Sequence, residues 1–515
     1  MRIAFLRSAL RIWQSGLSSS ALSDILGFGA IGALQSAALD EPGAGLGGKT
    51  TKPIKVANFN VAGSGDMDID GLLSGARWNT TTLTYSFPAK AAFYKYPASA
   101  AETHIGFHVF TSPQKWAEKD VLAGYAGVSG LHFVQRTETP ASHAQLRFAE
   151  TNAAFTAYSY YPGSSSVKAG DAWFNSSRHW YDAPIKGNYA YFTMLHETGH
   201  TLGLKHGNEA TGFGALPAAH NSMEYSVMTY ASYAGAPVNN GLTNGPASYA
   251  QSLMMDDIAA IQHLYGANFA QHGGNTVYQW SPATGQMTIN GVGLSMPAGN
   301  KIFLTIWDGG GNDTYDFSNY TSNLKIDLNP GKWTTTAAAQ LADLSADGAH
   351  KAIGNIANAR QYHGDARSLI ENAVGGSGND TITGNQAANV LSGGAGNDTL
   401  QGNGGSDTLT GGTGADTFVF KVLIEGADTL TDFISGTDTI SISENGFGLT
   451  LATGALDTGH FDAGGWATHA APEFVFDPKS HTLAFDWDGT GGAEAVVIAL
   501  LPATASLQAR DIILF

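Results

Sequence analysis

A nine-residue period runs without a slip from Gly375 to Val419 and limits this chain more than any other feature. Its five units are GGSGNDTIT, GNQAANVLS, GGAGNDTLQ, GNGGSDTLT and GGTGADTFV, beginning at Gly375, Gly384, Gly393, Gly402 and Gly411. The eighth position is always apolar: Ile382, Leu391, Leu400, Leu409, Phe418. The sixth is Asp380, Asn389, Asp398, Asp407 and Asp416. Such a unit holds one tight glycine turn and one very short strand, and it buries its apolar side chain only by stacking on neighbours. Alternate units fall on the same side, which brings together residues 18 apart: Asp380 with Asp398, Asp398 with Asp416, and Asp407 with Asn389. Strict register over five units excludes a flexible glycine-rich linker.

The turns carry chemistry as well as shape. Glycine accepts the positive φ such a turn needs, and the turn offers carbonyls and an Asp carboxylate to a hard cation. The candidate calcium-binding residues are Gly375, Gly376, Gly378, Asp380, Gly393, Gly394, Gly396, Asp398, Gly402, Gly405, Asp407, Gly411, Gly412, Gly414 and Asp416. Several structural Ca²⁺ ions are expected, and without them the packed carboxylates repel one another. The pattern resembles the RTX family, whose fold is a parallel β-roll. Upstream, Trp307 to Thr314 is a lone partial copy containing Asp308, Gly311 and Asp313. It either folds back to cap the roll with one more Ca²⁺ site or forms an ordinary turn.

The chain has 515 residues, which is long for one domain and suggests two or three. Its net charge is −17, so it lacks the basic field that binds nucleic acid. It has no cysteine, which excludes disulfides, thiolate metal sites and a cysteine nucleophile. No apolar run is long enough to span a membrane. Arg2, Arg7 and Arg11 precede an uncharged run from Ile25 to Leu39, but Gln14, several serines and Asp24 intervene where a signal peptide would be apolar. Residues 1–70 are therefore set apart as a flexible leader or propeptide, with a linker at 41–52.

From Gly71 the texture is globular. Thr82 to Phe87 alternates as a strand, and Ser112-Pro113 reads as an N-cap and first turn of a helix with Trp116, Val121, Leu122 and Tyr125 on its apolar side. His143–Phe148 and Ala172–Phe174 read as strands, and Tyr189–Leu202 and Leu253–Tyr265 as helices. After Gly266 glycine, Asp, Asn and Thr take over, which puts a domain boundary near 267–275.

Inside the second helix lies His196-Glu197-Thr198-Gly199-His200. The two histidines are one turn apart and project from one face, which suits two ligands of one Zn²⁺. Gly203 lets the helix stop and turn sharply, and His206 then returns as a third ligand. Glu197 is placed to take a proton from water at that metal. Met228, in Ser226-Val227-Met228-Thr229-Tyr230, fits the Met-turn that accompanies the H-E-x-x-H-x-x-G-x-x-H pattern, and Tyr230 can bring its phenol to the metal.

With Leu72–Trp78, the zinc motif, the Met-turn, Met255–Gln262 and the repeats together, residues 71–515 resemble a serralysin, an RTX-bearing metzincin protease of Gram-negative bacteria. The resemblance implies that His196, His200 and His206 bind one catalytic zinc and that Glu197 is the general base. It makes Tyr230 an extra zinc ligand that swings away to stabilise the oxyanion. It assigns Gly170–Phe174 to the edge strand that pairs with an extended protein substrate, and so implies broad specificity.

The end of the chain, Asp511-Ile512-Ile513-Leu514-Phe515, reads as a buried strand and resembles the uncleaved signal for a type I secretion apparatus. Asp486 to Gly491 reads as a hairpin turn in preference to a further Ca²⁺ loop. The expected architecture is an α+β metzincin-like catalytic domain at 71–270, followed at 271–515 by an all-β domain with a calcium-binding parallel β-roll and a β-sandwich-like remainder. The expected protein is a secreted, extracellular, monomeric zinc endopeptidase acting on proteins and peptides. The competing reading, a non-catalytic Ca²⁺-binding RTX adhesin or surface-layer protein, leaves the zinc motif unexplained. An RTX lipase would need a G-x-S-x-G elbow, which is absent.

Overall fold

The computed structural model describes residues 61–163, 167–239, 241–423 and 425–515. Most of the leader assigned to 1–70 lies outside the described residues, as do Arg2, Arg7, Arg11, the Ile25–Leu39 run and the 41–52 linker. The described backbone packs as two units. One holds 61–126, 131–265 and 342–352, and the other 127–130, 266–341 and 353–515.

The first unit contains a five-stranded sheet of order β2-β1-β3-β5-β4. Its strands are β1 (Thr82–Ser86), β2 (His132–Gln135), β3 (Leu146–Thr151), β4 (Ala157–Ser159) and β5 (Asp171–Asn175). All pairings are parallel except β4 on β5. The sheet corrects one expectation: the strand containing Gly170–Phe174 is not at the edge. Residues 171–175 are buried throughout, between β3 and β4, and the short antiparallel β4 is the terminal strand. Sequence alternation reports which residues are buried, but not which strand lies outermost.

The three longest helices among the described residues are α1 (Ser112–Val128), α2 (Tyr189–Leu202) and α3 (Met255–Tyr265). The cap of α1 is Thr111 instead of Ser112, since Thr111 N–H and Oγ1–H both donate to Gln114 Oε1, at 2.7 and 2.9 Å. Trp116, expected on the apolar side, faces outward at 52% exposure, while Glu118 is buried in the same helix. At the start of α2, Asn188 accepts from Tyr191 N–H at 3.0 Å. At its end Gly203 has φ +111, and a Cβ there would lie 2.2 Å from Ala76 O, so both backbone conformation and space demand glycine. The Leu72–Trp78 segment packs around this exit: Ser74 N–H donates to Gly203 O, Lys205 N–H to Leu72 O, and Trp78 Nε1–H to Thr201 O.

The second unit is mostly sheet. Its repeats alternate between two sheets in parallel register, Thr381↔Thr399↔Thr417 in one and Asn372↔Val390↔Thr408 in the other. The eighth-position side chains Ile382, Leu391, Leu400, Leu409 and Phe418 are all fully buried in the core between them. Positive φ is only part of the glycine requirement. Gly375 has an ordinary φ, yet a Cβ there would meet Gly393 O at 2.2 Å, because stacked turns approach backbone to backbone. Strands Glu473–Asp477, Thr482–Asp486 and Val496–Leu500 continue the repeat sheet that holds Asn372, Val390 and Thr408, a sheet of twelve strands. The region expected to be sandwich-like therefore shares sheets with the repeats. Asp486 ends one strand and residues 487–491 lie in the connection to its antiparallel neighbour, and the terminal strand Ile512–Leu514 pairs parallel with Thr439–Ile442.

Candidate active site

Helix α2 packs on β4 and β5 and is buried from Ala190 to Leu202. From it, and from the turn after Gly203, three imidazoles converge. His200 Nε2 lies 3.1 Å from His196 Nε2 and 2.9 Å from His206 Nε2. Each ring's other nitrogen meets an acceptor: His196 Nδ1 at Val227 O (2.8 Å), His200 Nδ1 at Leu204 O (2.7 Å) and His206 Nδ1 at Glu209 Oε1 (2.6 Å). Those acceptors place the proton on Nδ1 and leave three Nε2 lone pairs facing one another. Burial holds His196 down to about 4, and burial with mutual repulsion holds His200 well below the usual histidine range. Neutral imidazoles with converging lone pairs repel unless a cation lies between them, so this donor set fits a zinc ion.

Tyr230 completes the cluster, with its hydroxyl 2.7 Å from His206 Nε2. Glu197 is buried, and burial raises its carboxyl to about 8 against the lowering effect of a hydrogen bond from Ser159. Ser159 Oγ–H reaches both Glu197 Oε2 and Glu197 O, the latter at 2.8 Å. Met228 lies under the helix, where a Cβ on Gly199 would meet its Sδ at 2.6 Å. The buried Lys205 ammonium donates to Gly71 O (2.5 Å), Glu209 O (2.8 Å) and Gly214 O (2.8 Å), which ties down the loop that carries His206.

A family model described as Matrixin matches residues 77–213, and one described as Peptidase M10 serralysin C terminal matches residues 267–451. The chain is 36% identical to "Metallopeptidase AprA" of Pseudomonas marginalis, over 82% of this chain and 85% of that one. It is 37% identical to "Metalloprotease AprA" of Pseudomonas entomophila (78% and 79% covered) and 36% identical to "Serralysin G" of Dickeya chrysanthemi (71% and 73%). The chain belongs to the serralysin family. It is a zinc metalloendopeptidase, and family membership implies a catalytic zinc.

This serralysin-family chain also buries an acid behind α2 that sequence patterning did not single out. Glu118 of α1 accepts from Thr198 Oγ1–H at 2.8 Å, while its Oε2 has no hydrogen-bond partner among the described residues. Burial raises its carboxyl to about 8. A carboxyl raised in the folded state stabilises fully below its unfolded value near 4.5, and that stability is lost as pH rises through about 8. Glu118→Gln does not titrate. Its melting temperature relative to wild type is therefore expected to rise between pH 5 and pH 9, by an amount equivalent to about 4 kcal/mol. Parallel melting curves across that range check the sign; a flat difference refutes the account.

In the second unit the sixth-position side chains form two ladders. Asp398 Oδ1 accepts from Asp380 N–H (2.7 Å), and Asp416 Oδ1 from Asp398 N–H (2.8 Å). On the other side Asp407 Oδ1 accepts from Asn389 N–H (2.7 Å). The ladders extend past the repeats, with Asp428 accepting from Asp407 N–H and Asp438 from Asp416 N–H, each at 3.0 Å. Both lie in Asp-Thr-apolar triplets like those of the repeats (428–430 and 438–440), a signal the strict nine-residue period hides. Upstream, Thr314–Asp316 pairs parallel with Asn372–Val374, which places the partial copy in the repeat sheet. There Asp313 Oδ1 accepts from Thr276 N–H at 2.7 Å, Asp308 Oδ2 accepts from Tyr278 O–H at 2.7 Å, and Gly311 has φ +149. Asp313 Oδ2, Asp398 Oδ2 and Asp407 Oδ2 are buried with no hydrogen-bond partner among the described residues, so the set fits hard cations.

Proposed function

We propose that His196, His200 and His206 hold the catalytic zinc, with Tyr230 as a further ligand, and that Glu197 is the general base of a broad-specificity endopeptidase. The convergence of three Nε2 atoms with every Nδ1 already engaged carries this reading. Zinc, when bound, supplies a Lewis acid that polarises the scissile carbonyl and makes water easier to deprotonate. Glu197 takes the proton from the attacking water and delivers it to the leaving amine. Ser159 holds that carboxylate in place, and the Tyr230 phenol donates to the developing oxyanion. An extended substrate adds beside β4, the terminal strand of the sheet and the one that carries Ser159, so backbone is read more than side chains.

In this reading residues 71–270 are the catalytic domain and 271–515 the calcium-binding one. Several Ca²⁺ ions lie along the two ladders of Asp380, Asp398 and Asp416 and of Asp407, reached by the repeat glycines, with a further one at Asp308, Gly311 and Asp313. The unsatisfied buried carboxylate oxygens support this. The protein is a secreted extracellular monomer. Its last residues are read by a type I secretion apparatus before folding, and calcium outside the cell completes the fold.

The test is zinc itself. Purified protein treated with a zinc chelator is expected to lose casein hydrolysis by at least about a hundredfold and to regain it with one equivalent of Zn²⁺ per chain. Undiminished hydrolysis in metal-free protein would overturn the reading.

A further inference from the structure

The ligand His196 takes its orientation from the carbonyl of Val227, and that residue is itself held from the other side. Asp257, in the first turn of α3, is fully buried. Its Oδ2 accepts from Val227 N–H at 2.7 Å and from Met254 N–H at 3.0 Å, and its Oδ1 accepts from Ser226 Oγ–H at 2.6 Å. Ser226 Oγ accepts in turn from Met228 N–H at 3.0 Å. Val227 is thus gripped at its N–H by Asp257 and at its carbonyl by His196. The next residue, Met228, is the one that supports α2 at Gly199. A carboxyl group that accepts three hydrogen bonds at a helix N-terminus is favourably placed.

Resting on the zinc reading above, we propose that Asp257 is a positioning residue for the active site. Its carboxylate fixes the 226–228 backbone, this sets the ring of His196, and through that ring it sets the affinity of the three histidines for zinc. Asp257 touches neither metal nor substrate. The adjacent Asp256 supplies a control of the same residue type on the same helical turn, because its carboxylate pairs with His220 at 2.9 Å.

The test titrates metal-free protein with Zn²⁺ against a chromophoric chelator, with the folded fraction read by near-ultraviolet circular dichroism. The chains compared are wild type, Asp257→Ala, Asp257→Asn, Ser226→Ala, Asp256→Asn and His200→Ala. Supporting contacts behind a metal ligand change affinity by about 10–100-fold, so Asp257→Ala is expected to weaken zinc binding at least about tenfold. Asp257→Asn keeps an acceptor for the two N–H groups and is expected to lose less, while Asp256→Asn stays within about twofold of wild type. A folded Asp257→Ala that binds zinc as tightly as wild type, even with a lower melting temperature, overturns the proposal. If that variant does not fold, Asp257→Asn and Ser226→Ala decide it, and wild-type affinity in both overturns it. His200→Ala separates the two failures. If it retains zinc, the three-histidine reading is wrong; if it loses zinc while the Asp257 variants keep theirs, only the positioning role is wrong.

Discussion

Glu197→Gln is expected to lower kcat/KM for casein or a peptide substrate by about 10²–10⁴-fold, the usual contribution of a positioned general base. Glutamine has nearly the same volume, and its carbonyl still accepts from Ser159, so the buried packing around residue 197 is kept. What it loses is the ability to take a proton from water and give it to the departing amine. The melting temperature is expected to hold or rise, because a carboxyl that burial pushes up to about 8 is costly to ionise at that position. Zinc content per chain should stay at the wild-type value, since Glu197 is not among the converging nitrogen donors. Steady-state kinetics with metal analysis of the same samples checks all three statements. More than about a tenth of wild-type turnover would assign the proton transfer elsewhere.

The second large effect is expected in the repeats, where calcium and charge should act with opposite signs. An ion present at about 100 times its Kd contributes about 2.7 kcal/mol to the state that binds it. Several such ions match the whole stability of an ordinary domain, about 5–15 kcal/mol. Chelating calcium is therefore expected to unfold the second unit at or near room temperature. Asp398 lies in the middle of its ladder, and burial, then Asp380 and Asp416, raise its carboxyl to about 6. Asp398→Asn should lower the melting temperature in calcium, where a ligand charge is lost, and raise it in chelator, where a buried repulsion is relieved. Asparagine fits such a rung: Asn389 occupies the equivalent place and donates through Nδ2 to Glu371 O at 2.8 Å. Scanning calorimetry of both chains in both conditions reads the crossing. A substitution that destabilises equally with and without calcium would leave the ladder as a purely structural array.

Much of the candidate site was legible because it is local. One helical turn separates His196 from His200, and a single left-handed glycine brings His206 back, so spacing alone brings the three imidazoles to one place. The repeats were legible for a similar reason. A unit too short to bury its own apolar residue must stack, and the period says which residues meet. What spacing left out came from far along the chain. Ser159 reaches Glu197 across 38 residues, Asp257 reaches Val227 across 30, and Thr198 meets Glu118 across 80. Glu209 was closer, three residues past His206, but a carboxylate on a loop has no pattern until the loop is folded. The exchange of β5 for β4 at the sheet edge has the same origin: burial sets the alternation, while strand order is set by connections. By itself the sequence determined that three histidines meet, that a glutamate lies beside them and that the repeats stack, because each depends on backbone geometry over one or two turns. Only the tertiary structure decided which groups orient the histidines, which buried acids share the core and which strand is outermost, because those depend on long-range packing that no local period encodes.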